Sequence, residues 1–555
     1  MLAENVVRPR AAPSSQQQQQ QQAQSQSQSL SASDASGTNS ARHSSMAPTT
    51  SSAMSSRQGL LAMGAAIVLM TLWSVGTEFS VTTWIGPTAP VVNEWDIASE
   101  SDRVNLYPEE LFETDWSAKV PDSEIMHLSV LHRSCMKHRE SVIPWNYGID
   151  GKEELLINQT DPNLMAKLRQ CPDVDVFIPT GLRGHGYCED ALAYTKYLKS
   201  RMITTWVLEA KFVDEKTQKQ LTYHDLCPDT PVIVFNHYWE NIRDDPNWPK
   251  RKKIFMMPNI EMYELSHREY WGVDVILCKT AICTRYLDKW MKQEGNPNNT
   301  KVFFTRHTSS DVTALTRIPL RQTSLETKNF KDTKFVHTVG GSIQKGTGKL
   351  LDCWLSRPDL PPLYIYIGTD LYNSAFKKHY DKAIQSSKNV HLHADHLDVA
   401  SFSKLYTDSS YFVCSSHMEG YGHYINQARA AGAFVITPDV PPMNELITPS
   451  SGQLMTARRS TAREQFLGGN SDKAFALRDV PGYIASFSGK DICSAVDEVL
   501  KLSPEERQLR AERARQQYFF DIVFFSERME ELRDYARGRK SQLRRPGTGL
   551  QRRHN

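Results

Sequence analysis

Short apolar runs alternate with longer amphipathic stretches from residue 174 onward, and this rhythm occurs twice along the chain. The first series has candidate strands at 174–179, 203–208, 231–236, 253–257, 273–278 and 302–305, with a helix at 282–292. The second has candidate strands at 335–339, 363–367, 390–393, 411–414 and 434–437, with helices at 349–355, 375–386, 400–407, 424–431 and 444–447. Short strands separated by amphipathic helices are typical of βαβ units with a parallel sheet. The pattern predicts an α/β protein with two Rossmann-like domains.

Flanking segments with different patterns set the boundaries of these domains. The predicted order is a stem and pre-domain at 85–165, a first domain at 166–311, a polar linker at 312–333, a second domain at 334–500, closing helices at 501–537 and a basic disordered tail at 538–555. The pattern in the stem region is irregular and predicts no particular element. A chain of 555 residues is long enough for two domains with such appendages.

The amino-terminal part of the chain predicts a disordered tail followed by a membrane anchor. Residues 1–56 are rich in Gln and Ser, and such a segment cannot bury enough apolar surface to offset its ordering entropy. Residues 59–76 then carry no charge, which is close to the minimum length for a bilayer span. Basic residues precede this run and acidic residues follow it, so we expect a signal anchor at 57–84 with a cytoplasmic amino terminus. A cleaved signal peptide and a buried helix are the alternatives.

The charge composition and the cysteines indicate which functional class the protein belongs to and which cellular compartment it occupies. The 65 basic and 63 acidic side chains nearly balance, which argues against a dedicated nucleic-acid binder. The nine cysteines show no zinc-finger spacing, so buried thiols or disulfides are favoured over metal, and an odd count leaves one thiol unpaired. The predicted anchor makes this a type II membrane protein of the secretory pathway, in the Golgi or the endoplasmic reticulum, with lumenal domains. Sequons at Asn158 and Asn298 agree, and a lumenal location would let cysteines such as Cys171 and Cys188 form disulfides.

The segment 415–445 contains the strongest candidate for chemistry. A turn between a predicted strand and a predicted helix contains Glu419, Gly420, Tyr421, Gly422 and His423. Glycines at such a turn let backbone N–H groups approach a ligand closely, and the start of a helix suits a diphosphate. Ligands of open parallel sheets bind outside the carboxyl ends of the strands, where this turn should lie. The alternative is a plain strand–helix turn whose glycines serve packing.

A second glycine-rich turn follows the first strand of the second domain. It contains Gly340, Gly341, Lys345 and Gly346. The spacing matches neither the P-loop nor the GxGxxG pattern, so an ATPase is disfavoured. A glycine-rich turn with one lysine still suits two phosphates, although a merely solvated lysine is the alternative.

In their order and spacing, these motifs resemble the nucleotide-sugar domain of family 4 glycosyltransferases of the GT-B fold, also called glycosyl transferases group 1. Residues 334–447 carry the resemblance, through Lys345-Gly346, the Glu419 turn and a terminal Glu after the prolines at 441–442. The resemblance implies that Lys345 neutralises a donor diphosphate, that Glu419 binds the donor sugar and that the backbone of 420–423 binds phosphate. Two positions depart from the family: Gln427 stands where it has a second Glu, and its usual arginine near Lys345 is missing.

The first domain offers weaker candidates on the acceptor side of a cleft. Gly184, His185 and Gly186 follow its first predicted strand, as glycine-rich acceptor loops do in such enzymes. His237 lies at the end of a later strand, where the family often has a His facing the cleft, and we predict it as catalytic together with Glu419. The stretch 304–309 resembles a hinge-side motif of eukaryotic relatives, without an assignable chemistry.

The expected activity is transfer of a sugar, most simply a hexose, from a nucleotide diphosphate sugar to a hydroxyl of a glycan, protein or lipid. The resemblance implies retention of anomeric configuration. The DxD-like Asp173-Val174-Asp175 lies at the start of a strand, which is the wrong end, so no metal and no cofactor are expected. No nucleic-acid partner is expected, and the membrane is contacted through the anchor. The alternatives are a catalytically silent lumenal glycan-binding or scaffold subunit, and another enzyme of this fold such as a sugar-nucleotide epimerase or a phosphorylase.

Overall fold

A computed structural model of the chain describes residues 106–149, 155–214, 217–235, 248–261, 265–320, 328–460, 475–478 and 484–538. All of them belong to one compact unit, Asn93–Asn555. The predicted tail at 1–56 and anchor at 57–84 lie outside the described residues. No helix within the described ranges is long and apolar enough to span a bilayer.

The first domain is built on a sheet of seven strands among the described residues, in the order β1-β3-β2-β6-β7-β8-β9. Its strands, with the short β4–β5 hairpin, are β1 Ile143–Pro144, β2 Asp175–Phe177, β3 Arg201–Ile203, β4 Phe212–Val213, β5 Gln220–Leu221, β6 Val232–Phe235, β7 Ile254–Met257, β8 Val275–Cys278 and β9 Lys301–Phe304. Its helices are α1 Asp122–Lys137, α2 Leu164–Leu168, α3 His185–Tyr197, α4 Thr205–Glu209, α5 Tyr223–Leu226, α6 His267–Gly272, α7 Ala281–Glu294 and α8 Ala314–Leu320. Strands β2, β3 and β6 to β9 are parallel, and only the edge strand β1 runs antiparallel.

The second domain has six parallel strands in the described part, in the order β12-β11-β10-β13-β14-β15. Its strands, with a small β16–β17 pair, are β10 Phe335–Gly340, β11 Leu363–Ile367, β12 Val390–His393, β13 Tyr411–Val413, β14 Phe434–Pro438, β15 Gln453–Met455, β16 Arg458–Ser460 and β17 Ile484–Ser486. Its helices are α9 Thr347–Ser356, α10 Thr369–Leu371, α11 Lys377–Ser386, α12 Val399–Asp408, α13 His423–Ala430, α14 Met443–Leu446, α15 Gly489–Lys501 and α16 Pro504–Ala536. This strand order reverses direction between β10 and β13, as in doubly wound dinucleotide-binding folds.

Burial explains why these strands read as continuous apolar runs in the sequence. Strands β6, β7 and β8 are buried along their whole length, and β14 is buried too. Parallel strands covered by helices on both faces have this character. The α/β class with two Rossmann-like domains is thus confirmed.

Three segments differ from the sequence-based expectation, and the first is the predicted polar linker at 312–333, where α8 forms a helix and Val312 and Ala314 are buried. The run 203–208 was expected to be one strand, but β3 ends at Ile203 and α4 begins two residues later. A short apolar run fits either element, because periodicity cannot separate them at this length. In the predicted stem region, α1 is a 16-residue helix whose Leu128 and Leu131 are fully buried in the core of the first domain. From residue 106 onward, the expected stem is part of the folded unit.

The 33-residue helix α16 belongs to the cores of both domains. Its first half contributes Ala511 and Ala514 to the core of the second domain. Its second half contributes buried aromatic and aliphatic side chains, among them Tyr518 and Phe525, to the core of the first domain. A single rigid element therefore fixes the separation of the two sheets.

Asp521, in the middle of α16, is buried and joins three distant parts of the chain. Its carboxylate accepts hydrogen bonds from Arg306 Nε at 2.7 Å and from Tyr107 Oη at 2.6 Å, and it also accepts one from Arg429. Arg306 follows β9 of the first domain, while Arg429 lies in α13 of the second and is fully buried. We call this set of four side chains the Asp521 cluster.

All nine cysteines lie within the described residues, and eight of them are paired. The disulfides are Cys135–Cys188, Cys171–Cys227, Cys278–Cys283 and Cys353–Cys493. Cys414, buried at the end of β13, is the free thiol expected from the odd count. No disulfide joins the two domains among these pairs, so side-chain contacts and α16 hold them together.

Replacing Asp521 with Asn should destabilise the fold strongly. Removing one partner of a buried ion pair leaves an uncompensated charge and costs about 3–5 kcal/mol, and here two guanidinium groups lose their carboxylate. Urea unfolding followed by circular dichroism measures this loss. The control is Asp408→Asn, which removes only the exposed Lys404–Asp408 pair of α12 and should leave the unfolding free energy almost unchanged. Equal effects of the two substitutions would contradict a central role for the Asp521 cluster.

Candidate active site

The carboxyl ends of β10 and β13 lie side by side at the point where the strand order of the second sheet reverses. Both glycine-containing turns predicted from the sequence start there. The first turn leaves β10 at Gly340, which has φ +60° and whose carbonyl oxygen accepts a hydrogen bond from the N–H of Gly368 at 2.9 Å. Lys345 ends a short 3₁₀ turn, and Gly346 precedes α9 with φ +68°. The two turns thus occupy the crevice in which open parallel sheets bind ligands.

Lys345 and Glu419 meet across the two turns as an ion pair. Glu419 also accepts a hydrogen bond from Ser416 Oγ, and Ser416 is held in turn by Tyr424, whose hydroxyl lies 2.6 Å from Ser416 Oγ. The ammonium of Lys345 lies 3.8 Å from the centre of the Tyr424 ring, a cation–π contact. A lysine held in this way, only 16% exposed, is not a merely solvated lysine.

Close packing explains two of the glycines. A Cβ on Gly346 would overlap the carbonyl oxygen of Ser415, so the two turns approach at a distance that only glycine permits. A Cβ on Gly420 would overlap the carboxylate of Glu261, which follows β7 of the first domain. The predicted donor turn therefore touches the first domain directly, at a carboxylate that the sequence analysis did not select.

The buried carboxylate of Asp190, in α3, contacts a lysine and two histidines that come from both domains. Both its oxygens lie 3.1 Å from Lys279 Nζ, and its Oδ1 lies 3.0 Å from His307 Nε2 and 3.1 Å from His423 Nε2. Burial alone would raise the pKa of Asp190, but Lys279 and the two histidines outweigh it and hold that pKa well below its usual value. Burial lowers the pKa of His307 to about 4, although Asp190 opposes this. His307 is therefore neutral at physiological pH.

Asp190, His307 and His423 also form a group that could hold a metal ion. Their ligand atoms lie within 4.8 Å of one another, and two imidazoles with one carboxylate suit a transition metal. The Lys279 ammonium contacts both oxygens of the same carboxylate, and a cation would have to leave before a metal could bind there. These side chains fit a network of ion pairs and hydrogen bonds around Asp190 better than a metal centre. Catalysis without a metal stays a prediction.

Gln427 and Tyr421 also cross the cleft. The amide nitrogen of Gln427 donates to Glu189 of α3 at 3.1 Å, and the Tyr421 hydroxyl donates to the carbonyl oxygen of His307 at 2.6 Å. Glu189 further accepts from the backbone N–H and the hydroxyl of Ser310, each at 2.8 Å. Gln427, predicted to bind ribose, thus contacts the first domain here, and its role toward a ligand stays a prediction.

The terminal Glu of the family-like motif also bridges the domains. Glu445 accepts hydrogen bonds from the backbone N–H groups of Ala281 and Ile282, at 2.7 and 2.8 Å, and so caps the start of α7. A carboxylate at this end of a helix is stabilised by unpaired N–H groups and by the helix dipole. Burial raises the pKa of Glu445, while Arg285 and these N–H groups oppose the rise.

The predicted acceptor-side residues are only partly described. Gly184 precedes α3, and Gly186 lies in its first turn, where an added Cβ would meet no atom within 4 Å. The backbone of His185 begins α3, but its side chain lies outside the described residues, as does the whole of His237. Asn158 and Asn298, the predicted glycosylation sites, are both exposed.

Five cleft side chains were not selected from the sequence as site residues: Glu189, Asp190, Glu261, Lys279 and His307. A signal did exist for two of them, because Glu261 and Lys279 follow β7 and β8 at the carboxyl edge of the first sheet. Asp190 and Glu189 lie inside a helix, where nothing in the local pattern separates a buried carboxylate from a solvated one. His307 lies within the segment 304–309, to which no chemistry could be assigned.

No protein-family model and no curated protein sequence matches this chain. Among solved structures it is similar to sucrose-phosphate synthase from Thermosynechococcus elongatus, with 12% identity, a TM-score of 0.44 and coverage of 66% of this chain and 100% of that one. It is also similar to α,α-trehalose 6-phosphate synthase from Burkholderia multivorans, with 10% identity, a TM-score of 0.42 and coverage of 68% of this chain and 99% of that one. The match to the GtfA/B complex has 13% identity and a TM-score of 0.38. It covers 57% of this chain and 62% of that one, which is less than two thirds of that chain. Likeness at this distance does not assign an activity.

Replacing Gly346 with Ala should disrupt the site, whereas Gly341→Ala should not. At Gly346 the new methyl group meets a backbone carbonyl in a left-handed conformation, and we expect a loss of at least about 2 kcal/mol in stability. At Gly341 a Cβ meets no atom within 4 Å, which makes it the matched control in the same turn. Chemical unfolding of both variants measures the difference. A Gly346→Ala variant as stable as Gly341→Ala would show that the two turns do not pack in this way.

Proposed function

We propose that this chain is a glycosyltransferase, which moves a sugar from a nucleotide diphosphate sugar to a hydroxyl acceptor. The observation that carries the proposal is the pairing of Lys345 with Glu419 at the reversal point of the second sheet, between two turns whose close approach at Gly346 only glycine permits. A cation and a carboxylate placed side by side in such a crevice suit the two ends of a sugar diphosphate, which carries negative phosphates and a hydroxyl-rich ring.

The proposed roles follow from where charge develops in the reaction. As the bond between the sugar and the diphosphate breaks, negative charge grows on the departing phosphate. Lys345 and the N–H groups at the starts of α9 and α13 would stabilise it, because fixed donors need no reorganisation during the reaction. Lys345 would exchange Glu419 for phosphate when the donor binds, and this would free the Glu419 carboxylate to accept hydrogen bonds from sugar hydroxyls.

Contacts across the cleft would exclude water from the donor. Glu445, Gln427 and Tyr421 reach from the second domain to the first, and the donor turn packs against Glu261. Exclusion of water strengthens electrostatic interactions and limits hydrolysis of an activated donor. Opening and closing of these contacts would accompany each round of donor binding and product release.

Finer features of the proposal rest on the sequence resemblance to family 4 enzymes of the GT-B fold. They are retention of anomeric configuration, catalysis without a metal and transfer of a hexose. Proton NMR of the first product formed tests the stereochemistry, and unchanged turnover in EDTA tests the metal independence. The acceptor-side roles of Gly184, His185, Gly186 and His237 belong to the same set of proposals.

A silent scaffold or glycan-binding subunit is the second candidate, and one observation favours it. Gln427, which stands where the family has a ribose-binding Glu, is engaged with Glu189 of the first domain. An amide in that contact supports domain closure without any ligand. Retention of both Lys345 and Glu419 favours the enzyme.

Nucleotide binding should raise the melting temperature of the protein, and the Lys345→Ala, Glu419→Ala double variant should lose this effect. A ligand at about 100 times its Kd adds about 2.7 kcal/mol to the stability of the folded state by mass action. The measurement is a thermal-shift screen of residues 85–555 with UDP, GDP and their sugar conjugates.

The control for this screen is the Lys388→Ala, Glu498→Ala double variant, which removes the same two residue types from exposed positions of the second domain. It should keep the full shift. A folded wild type that shows no shift with any nucleotide would move the assignment to the scaffold. A shift that survives in the Lys345, Glu419 variant would place the nucleotide elsewhere.

We also propose that the folded domains lie in the lumen of the secretory pathway, on a membrane anchor at 57–84. Four disulfides and two exposed sequons support this location. Protein expressed in a eukaryotic host should lose apparent mass on treatment with peptide-N-glycosidase, and the Asn158→Gln, Asn298→Gln variant should show no such loss. An unglycosylated wild type would contradict a lumenal location.

A further inference from the structure

Glu261 brings a carboxylate from the first domain to the donor turn of the second. It follows β7 at the carboxyl edge of the first sheet, and its carboxylate packs directly against Gly420, the neighbour of Glu419. A Cβ on Gly420 would overlap both oxygens of this carboxylate, so a side chain there would have to displace Glu261. The two halves of the cleft are therefore in contact beside the point where the donor sugar is proposed to bind.

Four buried carboxylates near the cleft have structural partners, and the partly buried Glu261 differs from them. Glu189, Asp190, Glu445 and Asp521 each accept hydrogen bonds or ion pairs from at least two groups. Glu261 Oε2 is buried and accepts no hydrogen bond from any residue in the described ranges. A buried carboxylate oxygen without a hydrogen-bond partner is costly in free energy. Such unpaired oxygens occur at sites where a bound ligand supplies the missing hydrogen bond.

The charges around Glu261 favour a group that can gain and lose a proton. Burial raises the pKa of Glu261 to about 7; Lys279 opposes the rise, and the negative charges of Glu419 and Asp190 add to it. A carboxyl group that titrates near neutral pH is suited to accept a proton during a reaction at that pH.

We propose that Glu261 is a catalytic residue that receives the proton of the acceptor hydroxyl. The inference rests on the proposed glycosyl transfer. In the step, the acceptor oxygen approaches the anomeric carbon on the face from which the diphosphate departs, so that the configuration is retained, and it bonds to that carbon as the bond from the carbon to the diphosphate breaks. The diphosphate leaves with the bonding electron pair, and the hydroxyl proton moves to Glu261 Oε2, from which water later removes it. The competing acceptor for this proton is the departing diphosphate itself.

The test is the isosteric Glu261→Gln variant, with Glu269→Gln as its control. Glu269 lies nearby in sequence and only caps the start of α6, so its substitution should leave turnover unchanged. The probes are UDP-glucose, UDP-GlcNAc and GDP-mannose, with water as the acceptor, and the assay measures release of the nucleoside diphosphate. Loss of a proton-accepting group should slow this release by on the order of 100-fold, while the donor-induced thermal shift persists.

A stability measurement separates this role from a structural one. A folded-state pKa raised above the unfolded value means that ionisation of Glu261 disfavours the folded state as pH rises from about 4.5 through 7. Glu261→Gln should therefore melt at a higher temperature than wild type at pH 8, and the gain should be much smaller at pH 5. A residue needed for the fold would instead lower the melting temperature at both values.

The outcomes are distinct. Slower release with an intact donor shift and a higher melting temperature at pH 8 supports the inference. Unchanged release in Glu261→Gln overturns it and leaves the diphosphate as the proton acceptor, while donor binding stands. A lower melting temperature at pH 8 also overturns it in favour of a structural role. A wild type that binds no donor overturns the proposed function, and the inference falls with it.

Discussion

A buried carboxylate cannot remain charged without partners, and Asp521 meets this constraint by drawing in side chains from both domains. Burying a charge away from water is costly unless it is paired and hydrogen-bonded. Arg306 comes from the end of the first sheet and Arg429 from the helix that follows the Glu419 turn, and each donates to one of the two oxygen atoms of this carboxylate. Because α16 carries Asp521 and packs into both cores, this helix and the ion pairs of Asp521 together set the distance between the two sheets. Every contact across the cleft depends on that distance.

One ion pair lies on each side of the cleft, and His423 of the second domain reaches across to Asp190 of the first. Lys345 faces Glu419, and Lys279 faces Asp190, which also meets the two histidines. In a medium of low polarity, each charge of an ion pair stabilises its partner. Removal of one side chain therefore leaves its partner buried and unpaired, which is costly. Burial keeps His307 neutral although Asp190 lies beside it, and the negative charges of Glu419 and Asp190 add to the rise that burial causes in the pKa of Glu261.

The sequence predicted the α/β class and most strands of the two parallel sheets because those strands are short, buried and locally patterned. All five strands predicted for the second domain are present, two of them, β11 and β12, with the predicted bounds. The error at residues 203–208 arose because an apolar run of that length fits a strand or a helix. Helix α1 escaped notice because tertiary packing, not a strong local pattern, holds it in place.

The site was predictable only where chemistry and local pattern coincide. Lys345 and Glu419 lie in glycine-rich turns between a strand and a helix, so their proximity followed from the topology of a parallel sheet. Asp190 and Glu189 lie in the middle of a helix, and their importance depends on residues more than a hundred positions away. Glu261 lay at a predictable edge, but its contact with Gly420 depends on how the two domains are docked. That docking is set by α16, which no local pattern relates to the cleft.

The unpaired thiol of Cys414 affects how the disulfides of this chain form during folding. Eight other cysteines must find four partners, and a ninth reactive thiol would attack any bridge already made. In the folded protein Cys414 is buried at the end of β13, and burial raises its pKa, so that it stays protonated and cannot act as a nucleophile. This protection exists only after β13 has joined its sheet. Insertion of that one strand therefore both positions the Glu419 turn and removes the Cys414 thiol from disulfide exchange.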